Sequence, residues 1–254
     1  MLKRVLRSDS PRNVHQLRTR SRRLEAAIRA LKLDEQPHAH RLLKTVARLR
    51  KKAGRVRDLD VLVGLAAKLA LPGQDELLVQ FIEHIGAKRR KAAGKLHTSV
   101  NHRIKSARRQ LKQCRSLFKS EGAAFARQQA NASSAASSLS AELASWPRLG
   151  LSNLHAYRIK VKELRYTLEL IQGADTELTS ALSELTDVIG DWHDWTELQA
   201  MASKFFAGKQ RVDLLHTIRA TVSAKLRSAL SLAEAMQRRY FTDASSIAAA
   251  GDQA

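Results

Sequence analysis

Apolar residues recur at helical spacing along almost the whole chain. Between residues 11 and 32, Leu17, Leu24, Ile28 and Leu31 fall on one face of a helical wheel, and polar residues occupy the remaining faces. The pattern predicts helices over 11–32, 37–53, 56–71, 75–119, 122–145, 152–172, 176–190, 193–206 and 209–241. No segment shows the sustained polar–apolar alternation of a β-strand. The sequence therefore predicts an all-α protein.

The chain also contains an internal repeat. The segment NVHQLRTRSRRLEAAI (13–28) resembles NLHAYRIKVKELRYTLEL (153–170), and VARLRKKAGRVRDLDVL (46–62) aligns with LSELTDVIGDWHDWTEL (182–198). The second alignment pairs Gly54 with Gly190 and Asp58 with Asp194. Each aspartate follows its glycine closely, so we expect it either to cap a helix that restarts there or to hold a nearby basic side chain. The repeat predicts two copies of a helical unit related by pseudo-twofold symmetry.

Proline and glycine residues and an Ala/Ser-rich segment divide the chain into four parts. We expect a first helical half over 1–121, an Ala/Ser-rich connecting segment over 122–150, a second helical half over 151–241 and a C-terminal tail over 242–254. The segment 130–145 is compatible with either a soft linker or a weak alanine-rich helix. A Pro-Gly turn is expected at 71–76, and the tail is expected to be frayed.

Positive charge is concentrated in the first half. The formal net charge of the chain is +21. Residues 1–119 contain 31 Lys and Arg against 9 Asp and Glu, whereas residues 120–254 contain 14 against 15. A positive field of this density attracts anions and steers their encounter with the protein. The charge distribution therefore predicts a polyanionic partner.

The basic residues are arranged as stripes that lie beside the apolar stripes. Helical spacing places His15, Arg18 and Arg22 on one face, and the repeat places four basic residues on the equivalent face, at His155, Arg158, Lys162 and Arg165. Two further stripes contain Lys44, Arg48, Lys51, Lys52 and Arg55, and then Lys88, Lys91 and Lys95. In the second half, acidic residues replace Arg48, Lys51 and Arg55 at Glu184, Asp187 and Asp191. Neighbouring cations on a helix repel each other, so an anion is expected to compensate them.

Four motifs together resemble a known family. HxxRxxxRRL begins at His15, RLRKKAGRVRDLDVL follows it, HxxRxKxKxLRY begins at His155, and GDWHDW ends the series. In this order and spacing they resemble the CHAD domain, the conserved histidine α-helical domain. The resemblance implies two helical bundles with a basic cavity between them. It also implies binding of inorganic polyphosphate and association with polyphosphate granules, without catalysis.

Carried over residue by residue, the resemblance gives a polyphosphate-binding set. It comprises His15, Arg18, Arg22, Lys44, Arg48, Lys51, Lys52, Arg55, Lys88, Lys91, Lys95, His155, Arg158, Lys162 and Arg165. No catalytic residue, metal ligand or cofactor is expected. The oligomeric state is left open.

Two other functions fit part of the pattern. Nucleic-acid binding also depends on phosphate contacts, but aromatic residues for base stacking make up only 5% of the chain. A metal-dependent phosphohydrolase would need a metal-ligand spacing, and the nine histidines form none of the familiar ones. Polyphosphate remains the expected partner, with other polyanions, including nucleic acid, as alternatives.

Cellular location is predicted from what the chain contains. Its single cysteine, Cys114, cannot form an intrachain disulfide, which is typical of a reducing compartment. No stretch approaches the ~20 apolar residues that a membrane span requires, so no membrane partner is expected. We expect a cytoplasmic protein, associated with polyphosphate granules if the resemblance holds.

Overall fold

The computed structural model describes residues 1–69, 75–115, 122–208 and 212–241. Over these ranges the chain forms eight α-helices and one π-helical turn, and no strand occurs within them. The helices are α1 (Leu2–Arg7), α2 (Pro11–Ala30), α3 (Pro37–Ala67), α4 (Asp75–Cys114), α5 (Ala123–Ala144), α6 (Leu154–Leu168), α7 (Thr176–Phe205) and α8 (Val212–Met236), with the π-helical turn at Gln237–Phe241. The all-α prediction is confirmed.

Two predicted helix breaks are wrong. The segments 37–53 and 56–71 form one continuous helix, α3, up to Ala67, and the segments 176–190 and 193–206 form one helix, α7. Gly54 and Gly190 therefore lie in helix interiors. A glycine there costs about 1 kcal/mol relative to alanine. Buried apolar residues on both sides of each glycine, such as Val56 and Ile189, keep the helix packed and offset that cost.

An arginine side chain occupies the space beside each of these glycines. A Cβ atom added to Gly54 would lie 3.5 Å from Nε of Arg18, and one added to Gly190 would lie 3.0 Å from Cζ of Arg158. Arg18 and Arg158 are themselves equivalent in the sequence repeat. The same arginine–glycine contact thus forms in both copies, and it is closer in the second.

The described residues group into two compact units. Unit 1 consists of Met1–Ile28, Leu33–Lys119 and Asp194–Arg219. Its core contains apolar residues of α1 to α4, including Val14, Leu49 and Leu96. The helical pattern predicts Leu49 and Leu96 to be buried, whereas Val14 lies outside the predicted apolar stripe of α2. Aromatic contacts join α4 to the end of α7, with the ring of Phe81 centred 5.2 Å from that of Phe206.

Unit 2 consists of Arg29–Lys32, Ser120–His193 and Ala220–Ala254. Its core combines residues of α5 to α8, among them Leu143, Tyr157, Leu185 and Ala229. The alanine-rich segment is helical, because Ala123–Ala144 form α5, which packs against α6 through Ala136 and Leu143. Of the other predictions, most of the turn at 71–76 and the whole tail at 242–254 lie outside the described residues.

Candidate anion-binding site

Helices α3 and α4, with one arginine of α2, line a cavity of about 1460 Å³ in unit 1. We call it the basic cavity. Among its described lining residues, ten are Lys or Arg and one, Asp58, is acidic. The cations are Arg18, Arg48, Arg50, Lys51, Lys52, Arg55, Lys88, Lys91, Lys95 and Arg103.

Helix α3 contributes cations one turn apart along a single face. Arg48, Lys51, Lys52 and Arg55 follow the i, i+3, i+4, i+7 spacing that aligns side chains along a helix. The opposite face carries buried residues such as Ala53. Packing of that apolar face orients the helix, so its basic face is directed into the cavity rather than distributed over the surface.

Helix α4 supplies a second row along the same cavity. Lys88, Lys91, Lys95 and His102 line it, and all four side chains are exposed. At 1.5 Å per residue the row from Lys88 to His102 is about 21 Å long. Thr98 and Ser99 add hydroxyl groups between the charges. The row thus offers hydrogen-bond donors along a linear path.

Arg18 is the least exposed of the predicted cations that line the basic cavity. It is half-buried on α2. Burial lowers the pKa of its guanidinium, and the positive charges of Arg57 and Arg50 lower it further, while the carboxylates of Asp58 and Asp194 oppose the shift. The position of Arg18 is therefore electrostatically unfavourable for a cation, and an additional anion would stabilise it.

Two neighbouring arginines are bound to carboxylates. Nε of Arg50 donates to both oxygens of Glu25, at 2.9 and 2.8 Å. Nη1 of Arg57 donates to both oxygens of Asp194, at 3.1 Å each. Asp58 and Asp194 lie inside α3 and α7, so they do not cap restarting helices. The alternative prediction, that each holds a nearby basic side chain, is confirmed, because Arg57 forms an ion pair with both. Asp194 instead joins α7 to α3, and Asp58 lines the basic cavity.

Three predicted residues of unit 1 are not among the described lining residues. His15 and Lys44 are exposed and Arg22 is half-buried. Nε2 of His15 lies 3.5 Å from Oγ1 of Thr19, on the same helix. The binding role predicted for these three residues stays a prediction.

The predicted residues of the second copy lie in unit 2, where two arginines contact α7. Arg158 is buried, and its Nε donates to the carbonyl oxygen of Thr186 at 2.8 Å. Nη1 of Arg165 donates to Oγ of Ser183 at 2.8 Å. Both guanidinium groups therefore pack against α7, whereas Arg18 lines a cavity. Their predicted role in binding an anion stays a prediction.

His155 and Lys162 complete that second set. The rings of His155 and His193 are centred 4.1 Å apart, and Lys162 is half-buried. On α7 the repeat places Asp191 at the position of Arg55. Asp191 accepts from Nζ of Lys225 at 2.7 Å. The same face that is basic on α3 is therefore acidic on α7.

Three charged lining residues were not in the predicted binding set. Arg50, Arg103 and Asp58 all line the basic cavity. Arg103 could have been found, because it follows Lys95 by eight residues and so lies near the same face of α4. Arg50 and Asp58 carried no such signal, because their placement depends on how α2, α3 and α4 pack together.

The chemistry of the cavity is that of a donor-rich anion site. Guanidinium groups bind phosphate oxygens in pairs, and ammonium groups supply mobile point charges. Within the described ranges, no group of three or more His, Cys, Asp or Glu side chains could hold a metal ion. No helix among the described residues is long and apolar enough to cross a membrane.

Comparison with known proteins gives one match. The model of the CHAD domain family matches residues 2–203, which run from the start of α1 almost to the end of α7. No curated protein and no solved structure matches the chain. The matched range contains all the cations that line the basic cavity.

Proposed function

Because the chain belongs to the CHAD domain family, which is linked to polyphosphate binding, we propose that it binds inorganic polyphosphate through the basic cavity. The proposal is one of binding without catalysis. The observation that carries it is the composition of the cavity, ten cations and one carboxylate within about 1460 Å³. Like charges at such density need a compensating polyanion.

The shape of the basic rows favours a linear ligand. The cations of α3 and α4 form two rows, and the longer row extends about 21 Å. Polyphosphate carries charge on every unit and has no base or sugar to accommodate. A single chain lying along the cavity would neutralise several side chains together and release its condensed counterions.

The lining favours polyphosphate over single-stranded nucleic acid. Proteins that bind single strands stack bases on aromatic side chains. Among the described lining residues, His102 is the only one with an aromatic ring. The cavity thus offers phosphate contacts without a stacking platform. In the cell, the same binding would bring the protein to polyphosphate granules.

Competition for labelled polyphosphate tests the proposal. The full chain is loaded with labelled long-chain polyphosphate, which is then displaced by unlabelled polyphosphate, DNA, RNA, heparin or triphosphate at equal charge concentration. We expect unlabelled long-chain polyphosphate to displace the label at the lowest concentration. Equal displacement by DNA or RNA would support a nucleic-acid-binding function instead, and absence of polyphosphate binding would contradict the proposal outright.

A further inference from the structure

One carboxylate stands among the cations of the basic cavity. The side chain of Asp58 lines it and is 42% exposed. A negative charge at this place repels the phosphates that the cavity is proposed to hold, so its presence requires an explanation. Helix capping does not supply one, because Asp58 lies in the interior of α3, far from either end.

Asp58 lies one turn after Gly54, beside which Nε of Arg18 is placed, and the side chains of Asp58 and Arg18 both line the basic cavity. The carboxylate of Asp58 is the largest favourable charge acting on the Arg18 guanidinium, and it opposes the effect of burial on the pKa of Arg18. Of the other two arginines that act on Arg18, Arg50 is bound to Glu25. Arg57 is bound to Asp194, and its Nη1 also lies 3.8 Å from Oδ1 of Asp58, so Asp58 acts on both Arg57 and Arg18. Asp194 also contributes to the field at Arg18, but less than Asp58 does.

We propose that Asp58 is an internal counter-anion of the basic cavity, which compensates Arg18 when the cavity is empty and opposes the entering polyanion. The inference rests on the proposed function. A bound phosphate chain takes over the compensation of Arg18, and the carboxylate then faces phosphate at short range. Asp58 therefore weakens binding, and it makes the affinity of the site lower than its ten cations would give.

The contribution of Asp58 has a definite sign and size. One unit charge at about 4 Å from another contributes roughly 1 kcal/mol in water and more in a partly enclosed site. Removal of the carboxylate should therefore tighten binding by roughly three- to tenfold. The gain should decrease at high salt, because ions screen exposed charges.

The test compares Asp58→Asn with a charge-matched control. Glu83→Gln removes one negative charge from an exposed position on α4 that is not among the described lining residues. Affinity of the full chain for labelled long-chain polyphosphate is measured at about 0.15 M salt. We expect Asp58→Asn to bind roughly three- to tenfold tighter than wild type and Glu83→Gln to remain close to wild type.

A double-mutant cycle tests the link to Arg18. If Asp58 acts on a phosphate held at Arg18, the increase in polyphosphate affinity caused by Asp58→Asn should fall by at least half when Arg18→Gln is already present. Asp58→Glu keeps the charge and serves as a second variant, expected to bind within about twofold of wild type. Asp58→Glu separates the effect of the charge from any effect of Asp58→Asn on the stability of the fold.

The outcomes separate the inference from the function on which it rests. Weaker or unchanged binding by Asp58→Asn, with wild type binding polyphosphate, would overturn the inference and leave the proposed function intact. An equal gain in Glu83→Gln would also overturn it, because the effect would then be one of net charge. Failure of wild type to bind polyphosphate would overturn both.

Discussion

The guanidinium of Arg158 packs directly against Gly190, where an added Cβ atom would lie 3.0 Å from its Cζ. Arg158 is buried there and donates to the carbonyl oxygen of Thr186, one turn before the glycine. The absence of a side chain at position 190 is what allows this approach. Nη2 of Arg158 would lie closer still to that Cβ atom than Cζ does. Arg18 and Gly54 form the looser counterpart in the first copy, where the nearest atom, Nε of Arg18, would lie 3.5 Å away.

Replacement of Gly190 by alanine should therefore destabilise the protein. Alanine favours the helix by about 1 kcal/mol, but overpacking of a buried contact typically costs about 1–3 kcal/mol, and Arg158 would also lose its hydrogen bond to Thr186. We expect a net loss in the free energy of unfolding of about 1–2 kcal/mol. Urea unfolding followed by circular dichroism measures it.

Gly64→Ala is the matched control for that variant. Gly64 lies in the last turn of α3, and an added Cβ atom would meet nothing within 4 Å. We expect the free energy of unfolding of this variant to rise by roughly 0.5–1 kcal/mol, because only the helix propensity changes. A gain of the same size in Gly190→Ala would show that Arg158 does not depend on the glycine.

A second prediction concerns Arg89, which joins α4 to two carboxylates. Its Nε donates to Asp60 at 2.8 Å and its Nη1 to Asp9 at 3.0 Å. Burial acts to lower the pKa of Arg89, but the hydrogen bond and charge of Asp60, with those of Asp9, raise it. The side chain of Asp60 is 12% exposed and that of Asp9 is 42% exposed.

The two carboxylates should therefore differ in their effect on stability. We expect Asp60→Asn to lower the free energy of unfolding by about 2–4 kcal/mol, because a partly buried cation loses its partner. Asp9→Asn should cost less than about 1 kcal/mol, as is typical of exposed pairs. Urea midpoints of the two variants measure the difference, and a larger loss in Asp9→Asn would contradict the assignment.

A third prediction concerns the pH dependence of stability. Burial lowers the pKa of His84 from its usual 6.5, and the positive charge of Lys88 lowers it further. The unfolded chain then binds more protons than the folded one at this position, so stability falls as the pH decreases below about 6.5. The ring of His84 lies 5.0 Å from that of Phe205, within unit 1.

His84→Gln removes this titration and should make stability less dependent on pH. Urea midpoints at about pH 7.5 and pH 5.5 are compared between wild type and variant. We expect the urea midpoint to fall less between the two pH values in the variant than in wild type. An equal or larger drop would show that His84 is not the group responsible.

Most of the residues that the helical pattern predicts to be buried are buried in the structure. Leu42, Val46 and Leu49 recur at helical spacing and are all buried in α3. The spacing of the apolar residues is enough to predict their burial, because an amphipathic helix can bury only one face. The continuity of α3 through Gly54 could not be predicted, because local propensity argues for a break and the packing of α2 against α3 is what overrides it.

The basic cavity was predictable only in part. The helical wheel places Arg48 and Lys51 on one face, but the sequence does not show which arginines are bound to carboxylates. Arg57 and Asp194 are separated by 137 residues and meet only in the folded chain. For Asp58 the sequence left helix capping and pairing with a basic side chain both open, and only the folded chain shows that Asp58 pairs with Arg57 and acts on Arg18.

Two triple variants test whether the cations of the basic cavity, rather than the net charge of the protein, bind polyphosphate. The cavity variant carries Lys88→Gln, Lys91→Gln and Lys95→Gln. The control carries Lys68→Gln, Lys105→Gln and Lys112→Gln, three exposed positions outside the described lining. Both variants lose the same charge from unit 1.

The salt dependence of polyphosphate affinity in these two variants is the most direct measurement. Each phosphate contact contributes about 0.7 to the slope of log affinity against log salt for a single-stranded polyanion. We expect the slope to fall by about 2 and the affinity to fall at least about tenfold in the cavity variant, while both values stay close to wild type in the control. Equal losses in the two variants would show that net charge, not the basic cavity, determines polyphosphate binding.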